Sequence, residues 1–157
     1  MFKTTLTVLW VSLTLLASLA AAQKRVVAPP GEAANRPFSA ALMVGDTLYV
    51  SGMVGRTPDG KVPDNFEDEV KQTLENIGVV LKAGGLSFAD AVAVQVYLTD
   101  MTLFERMNGV YVKYFPEPRP TRTTVGVAKL VGTYKIEITV TARDASAVVK
   151  PKKKKKK

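Results

Sequence analysis

The chain contains no cysteine and no histidine, which restricts the chemistry it can carry out. Without thiols and imidazoles, cysteine nucleophiles, Ser-His-Asp triads and the usual zinc sites are excluded. The groups that remain for chemistry are carboxylates, lysine, arginine, tyrosine, the hydroxyls of serine and threonine, and the backbone. Among them, Arg122 follows a proline-rich stretch and Glu137 lies in an alternating segment. An arginine can hold a carboxylate through two parallel charged hydrogen bonds, and a carboxylate can orient a water molecule and accept its proton.

Both residues also have an ordinary interpretation. Arg122 can be an exposed arginine at the start of a strand, and Glu137 can be a solvated carboxylate on the polar side of a strand. The residue types alone leave these interpretations open.

A β-hairpin and a long helix are predicted in the first half of the chain. Residues 38–44 and 47–52 are apolar and flank a Gly-Asp pair, which is a hairpin signal. A helix then begins near Asp64, whose side chain is predicted to cap it, and ends at the glycine pair that starts with Gly84. The apolar stripe of this helix is Phe66, Val70, Leu74, Ile77 and Leu81.

The second half of the chain predicts a strand, a helix and two further strands. Residues 91–99 alternate in polarity, and three prolines after the next helix predict a stiff, extended loop. The last two strands are predicted over 121–130 and 134–142, and Glu137 lies on the outward side of the second. The apolar stripe of the intervening helix is Leu103, Met107, Val110 and Tyr114.

The resulting element order, β-β-α-β-α-β-β, predicts an α+β fold. Strand-helix-strand crossovers favour a mixed β-sheet with two helices packed on one face. The strand at 91–98 is rich in valine, and the second face of the sheet has no predicted cover. Face-to-face association of several copies would provide that cover.

The N-terminus is interpreted as an export signal. Residues 1–22 combine Lys3, an uncharged apolar run and a final alanine triplet, which is typical of a signal peptide cleaved near Ala22. An uncleaved membrane anchor is the alternative. The protein is therefore expected to be exported, either periplasmic or secreted, with an N-terminal extension at 23–35 and a folded domain at 36–145.

Residues 146–157 form a lysine-rich tail that is predicted to be disordered. Of the 22 basic residues, seven lie in 150–157 and one is Lys3, which leaves 14 to balance the 14 acidic residues. The domain is thus formally neutral and gives no reason to expect specific nucleic-acid binding. The tail is interpreted either as a weak tether to anionic surfaces or as a solubilising appendage.

Ordered sequence fragments across residues 37–142 resemble the RidA family, also called the YjgF family. Each fragment is weak alone, but their order, spacing and combined coverage make the resemblance strong. Four residues of the second predicted helix also fit the family pattern: Phe104, Asn108, Tyr111 and Phe115. The fragments are LYVSG at 48–52, QTLENI at 72–77, AGGL at 83–86, VQVYLTD at 94–100, RPTRTTV at 119–125 and KIEI at 135–138.

This resemblance implies a chorismate-mutase-like fold, a homotrimer and sites in the clefts between subunits. The implied activity is hydrolysis of reactive 2-imino acids, which are tautomers of enamines, to 2-oxo acids and ammonia. No metal and no organic cofactor is expected. The resemblance further implies that Arg122 binds the substrate and that Glu137 positions the hydrolytic water.

Five further residues are implied to line the cleft. Gly52 lets the backbone approach a ligand closely, and Thr124 would contribute its backbone carbonyl. As alternatives, Ser51 and Gly52 can form a strand-terminal turn, and Asn108 can be a surface amide of the helix. The complete substrate-binding set is Phe38, Ser51, Gly52, Asn108, Arg122 and Thr124.

Three positions depart from the family pattern. Phe38 replaces a typical tyrosine, Met53 replaces a common glutamine, and Thr124 replaces a frequent cysteine. These departures favour a more apolar or different substrate. Two other functions stay open: a module that binds small carboxylates without turnover, and an RNA-directed activity such as a ribonuclease or translation inhibitor, against which the neutral domain argues.

Overall fold

The computed structural model describes residues 23–31 and 36–146, which form a mixed β-sheet and two α-helices. The strands are β1 (Lys24–Val27), β2 (Ala41–Val44), β3 (Thr47–Val54), β4 (Ala91–Leu98), β5 (Thr121–Gly126) and β6 (Ile136–Arg143). The helices are α1 (Phe66–Ala83) and α2 (Phe104–Tyr111), and 3₁₀ turns cover Phe88–Asp90 and Met101–Leu103. The predicted signal peptide at 1–22 and the lysine run at 150–157 lie outside the described residues.

The strands follow the order β1-β2-β3-β6-β4-β5 across the sheet. Neighbouring strands are antiparallel except β4 and β5, which are parallel and joined through α2. Both helices cover the same face of the sheet. The predicted α+β fold with two helices on one face is confirmed, and the predicted element order is confirmed from β2 onward.

Alternation along β6 determines which side chains lie beneath the helices. Ile136, Ile138 and Val140 are buried in the core, whereas Glu137 and Thr139 are directed to the opposite, open face. The helical cover comes mainly from the predicted apolar stripe of α1. The buried stripe residues are Phe66, Val70, Leu74, Ile77 and Leu81.

On β4 and β6 the open face is mostly polar, which corrects the expectation of a valine-rich uncovered surface. Val94 and Val96 are buried beneath the helices, and Val92 alone of the β4 valines is strongly exposed, at 46%. The pairing of β4 with β6 shifts register between Ala91 and Ala93, so Val92 leaves the simple alternation. The residues that β4 and β6 present on the open face include Gln95, Tyr97, Glu137, Thr139 and Thr141.

One strand was not predicted: β1 lies within the segment that was interpreted as an N-terminal extension. It pairs with β2 from Lys24 opposite Val44 to Val27 opposite Ala41, and only Val27 is buried. Four residues with one buried side chain carry too little alternation to indicate a strand. The strand forms because β2 offers it an edge, which is a non-local cause.

Element ends also differ from the prediction. Asn65, not Asp64, caps α1, because its side chain accepts a hydrogen bond from the Asp68 N–H at 3.2 Å. The helix ends as predicted at Gly84, and the following Gly85 adopts φ +80°, a conformation that glycine readily takes. The strand predicted over 121–130 stops at Gly126.

A buried carboxylate ties α1 to the start of β6. Glu69 is fully buried and accepts a hydrogen bond from the Lys135 N–H at 2.6 Å, and the Lys135 ammonium lies 3.5 Å from its second oxygen. This contact fixes the backbone two residues before Glu137. Within the described parts of the chain, no helix is long and apolar enough to cross a membrane.

Candidate functional site

The first group of predicted site residues surrounds an irregular stretch of β3. The pairing of β3 with β6 shifts register between Val50 and Met53, so Ser51 and Gly52 lie in a bulge. Ser51 fixes this bulge to the preceding segment, since its Oγ donates to the Ser39 carbonyl at 2.7 Å. A groove of about 350 Å³ runs alongside, lined by Phe38, Ser39, Leu42, Tyr49, Val50 and Ser51.

Glu137 lies beside this bulge on the open face. Its Cα pairs with Val54 on one side and Tyr97 on the other. A Cβ atom added to Gly52 would lie 1.9 Å from the Glu137 Oε1, so glycine at position 52 makes room for the carboxylate. Among residues 23–31 and 36–146, the Glu137 carboxylate has no hydrogen-bond or ion-pair partner. It is therefore available to a ligand or a water molecule.

Arg122 belongs to a second group, on the helical face of the sheet. It pairs in parallel register with Val94, whose side chain faces the core. The guanidinium lies 4.6 Å from the Tyr111 ring centroid and 5.5 Å from that of Phe104, and its Nη1 lies 4.0 Å from the Met107 Sδ. No carboxylate of the described segments pairs with it. Its N–H donors can therefore receive an anion.

Asn108 and Thr124 accompany Arg122. Asn108 lies on α2 between the turns that carry Phe104 and Tyr111, and its amide donates to the Glu105 carboxylate at 3.4 Å. Thr124 follows Arg122 by two residues and therefore shares its face of β5. Its hydroxyl is buried and has no hydrogen-bond partner in the described part of the chain.

The Tyr111 hydroxyl is likewise buried without a hydrogen-bond partner among the described residues. Burial raises the pKa of the phenol, while the charges of Arg122 and Arg119 act in the opposite sense. Because the net shift is upward from 10.0, Tyr111 is a neutral phenol at pH 7.

The two groups lie on opposite faces of one chain. Phe38, Ser51, Gly52 and Glu137 form the open-face half-site, and Asn108, Arg122 and Thr124 form the helical-face half-site. Within one chain, Arg122 and Glu137 cannot contact the same small molecule, because the sheet separates them. As for metals, the described residues contain no cluster of three or more Asp, Glu, His or Cys side chains.

The close contacts of Arg122 with α2 were not predicted. The apolar periodicity predicts Met107 as a stripe residue of the helix, whereas only the family resemblance points to Phe104 and Tyr111. Their spacing of i, i+3 and i+7 places all three on one side of the helix. The contact depends on the parallel pairing of β4 and β5, which places Arg122 against that side of α2 and which the sequence pattern does not predict.

Comparison with known proteins gives consistent matches. The family model described as endoribonuclease L-PSP matches residues 28–144. The chain is 38% identical over 128 residues to Reactive Intermediate Deaminase A, chloroplastic, from Arabidopsis thaliana, covering 80% of this chain and 68% of that protein. It is 41% identical over 108 residues to the 2-iminobutanoate/2-iminopropanoate deaminase of Bos taurus, covering 68% and 79%. The crystal structure of E. coli TdcF with bound serine matches with a TM-score of 0.70 at 30% identity, covering 77% of this chain and 99% of that chain.

Proposed function

The chain belongs to the endoribonuclease L-PSP family, the RidA or YjgF family, and we propose that it hydrolyses reactive 2-imino acids to 2-oxo acids and ammonia. Two curated relatives are named as deaminases, one of them for 2-iminobutanoate and 2-iminopropanoate. The observation that carries the proposal is that Arg122 and Glu137, which have opposite charges and stand at the positions that the resemblance implied, have no ion-pair partner in the described part of the chain.

The proposed reaction uses these groups in separate roles. Arg122 binds the substrate carboxylate through two charged hydrogen bonds. Glu137 orients a water molecule and accepts its proton as the water oxygen bonds to the imine carbon. Glu137 passes this proton to the imine nitrogen, which gives a neutral carbinolamine. Glu137 then carries the hydroxyl proton of the carbinolamine to the same nitrogen as the C–N bond breaks, so both protons of the water leave with the nitrogen as ammonia. The carbon retains the oxygen as a 2-oxo acid, and no oxidant or reductant is consumed.

We propose that the complete site lies between two copies of the chain. Since each chain carries its half-sites on opposite faces, Arg122 of one copy must meet Glu137 of another. Two different surfaces in contact make a head-to-tail interface, which forms a ring when the rotation between subunits closes. The family resemblance implies a ring of three. Exposed apolar side chains lie near both surfaces: Phe38 and Tyr49 by the groove on the open face, and Met101 close to Gly126 at the end of β5.

A binding function without turnover is the second candidate. It is favoured by the solved structure of E. coli TdcF with bound serine, a small molecule with a carboxylate. In this chain, Phe38 contributes an apolar ring to the groove, which adds contact area but no catalytic group.

The test is hydrolysis of freshly generated 2-imino acids, followed by ammonia release with and without the protein. Wild-type protein is expected to accelerate release, and Glu137→Gln is expected to lose the acceleration. Glu75→Gln removes an exposed carboxylate on α1 and is the matched control. Saturable 2-oxo acid binding without accelerated ammonia release would support the binding function instead. Cleavage of RNA by the wild type, retained in Glu137→Gln, would favour the RNA-directed alternative.

A further inference from the structure

Among the residues that the structure describes, only uncharged side chains hold the Arg122 guanidinium. Phe104, Met107 and Tyr111 form one side of α2, here called the α2 stripe, and each contacts Arg122. We infer that the α2 stripe is a positioning element for Arg122, which fixes the guanidinium while leaving most of its N–H donors available to a ligand. The inference rests on the proposed function only for the identity of the anion that Arg122 receives.

Ring contacts and ion pairs have different consequences for an arginine. A ring contacts the face of the guanidinium, whereas the N–H donors point outward in the plane of the group. Arg106 of α2 shows how an ion pair occupies the donors of an arginine. Its guanidinium lies over the Phe66 ring, but its Nε–H and Nη2–H donate to the Glu67 carboxylate, both at 2.7 Å. The two parallel donors of Arg106 are therefore occupied by a carboxylate, whereas Arg122 donates to no carboxylate of the described residues.

The Tyr111 ring is itself held in place by other aromatic rings of the core. Its ring stacks on Phe115 at 4.4 Å, and Phe115 meets Phe88 edge to face at 5.0 Å. Tyr111 and Phe115 are almost fully buried, so this aromatic row is part of the core. The rigidity of the core is thereby transmitted to the guanidinium of a half-buried arginine on an edge strand.

The Tyr111 hydroxyl is not needed for this positioning. It is buried and has no hydrogen-bond partner in the described residues, which is unfavourable for folding. Replacement by phenylalanine keeps the ring and removes the unpaired hydroxyl. We therefore expect Tyr111→Phe to preserve both the fold and the function of Arg122, which makes it the conservative variant for the test.

The experiment compares Tyr111→Leu, Tyr111→Phe and Phe66→Leu. Phe66→Leu is the matched control, because it removes a buried ring that lies over Arg106 and lies outside the aromatic row. For a 2-imino acid, Tyr111→Leu is expected to raise KM about tenfold with kcat changed by less than about twofold. Tyr111→Phe and Phe66→Leu are expected to keep the wild-type KM. An equal rise of KM in Tyr111→Leu and Phe66→Leu would overturn the inference, because it would indicate general loosening.

A measurement without substrate separates this inference from the proposed function. The Nε–H signal of Arg122 in an NMR spectrum is identified by its absence in Arg122→Lys. In the wild type and Tyr111→Phe, it is expected to be shifted by the ring currents and to be motionally restricted. In Tyr111→Leu, both properties are expected to weaken. If the signal is equally ordered in Tyr111→Leu, the positioning role is wrong, whether or not the protein hydrolyses imines.

Discussion

At the scale of single residues, Arg122 is tested by a substitution that keeps its charge. Lysine offers a compact ammonium in place of a planar fork, so it cannot form two parallel hydrogen bonds with a carboxylate. We expect Arg122→Lys to lower kcat/KM for 2-iminobutanoate by about 100-fold, because a substrate displaced by about 1 Å is misaligned with the attacking water. Melting curves should stay close to wild type, because Arg122 is only half-buried. Wild-type turnover in a folded Arg122→Lys protein would refute the carboxylate-binding role.

A substitution at Gly52 tests the role of the Glu137 carboxylate without changing Glu137 itself. A Cβ at position 52 would lie 1.9 Å from the Glu137 Oε1 and 2.8 Å from its Cδ, so one of the two must move. The carboxylate is the end of a flexible side chain, and it is expected to turn away while the strands stay in place. Gly52→Ala should therefore lower kcat about 100-fold, comparably to Glu137→Gln.

The control for this substitution is Gly109→Ala. A Cβ at Gly109 has no neighbour within 4 Å, and alanine favours the helical conformation of α2. Unchanged kcat in Gly52→Ala, alongside an unchanged Gly109→Ala, would remove Glu137 from the proposed reaction.

At the scale of elements, Glu69 couples α1 to the strand that carries Glu137. Glu69→Leu leaves the half-buried Lys135 N–H without its acceptor, and we expect a loss of about 1–3 kcal/mol in the free energy of unfolding. Glu69→Gln retains a carbonyl oxygen and should lose less. Urea denaturation of the two variants measures the difference. Equal stability would mean that the hydrogen bond to Lys135 does not stabilise the start of β6.

The pair of Glu67 and Arg106 joins α1 to α2 and predicts a pH dependence. The side-chain hydrogen bonds from Arg106, followed by a backbone hydrogen bond, lower the pKa of Glu67 from 4.5 to about 2. A lowered folded-state pKa stabilises the protein above the unfolded value, and the stabilisation is lost as the pH falls from about 4.5 to about 2. Glu67→Gln should thus be less stable than wild type at pH 7, and the difference should vanish near pH 2. A difference independent of pH would exclude this ion pair as its cause.

Prediction from sequence succeeded where the cause of an element is local. The α1 stripe from Phe66 to Leu81 and the alternation of Ile136, Ile138 and Val140 needed only periodicity. It failed for β1, whose strand character comes from the edge of β2, and for Val92, whose exposure follows from a register shift.

For the candidate site, too, the sequence indicates what has a local cause and misses what depends on strand pairing. The family resemblance pointed to Arg122 and Glu137 as residues, but not to the opposite faces on which they lie. In β5, polar side chains occupy both sides of the strand, so alternation gives no indication of the face. That face follows from the parallel pairing with β4, which no local pattern encodes.

At the scale of the whole molecule, the proposed site depends on assembly. Since β6 and β5 hold Glu137 and Arg122 on different faces, a monomeric chain offers only an incomplete site. The protein is expected to be a trimer at micromolar concentration, as measured by sedimentation. A monomer that hydrolyses 2-imino acids would contradict both the ring and the shared site.

Mixing two inactive variants tests the shared site directly. In a ring of three, each cleft takes Arg122 from one subunit and Glu137 from the next, so Arg122→Lys and Glu137→Gln subunits can complement each other. After co-refolding in equal amounts, about a quarter of the clefts should contain both native residues, and imine hydrolysis should recover to about a quarter of the wild-type rate. The double variant Arg122→Lys/Glu137→Gln mixed with either single variant should recover nothing, because no cleft then regains both groups. If mixed rings form, as shown by mass spectrometry of the intact assembly, and activity stays absent, the two residues do not act across a subunit boundary.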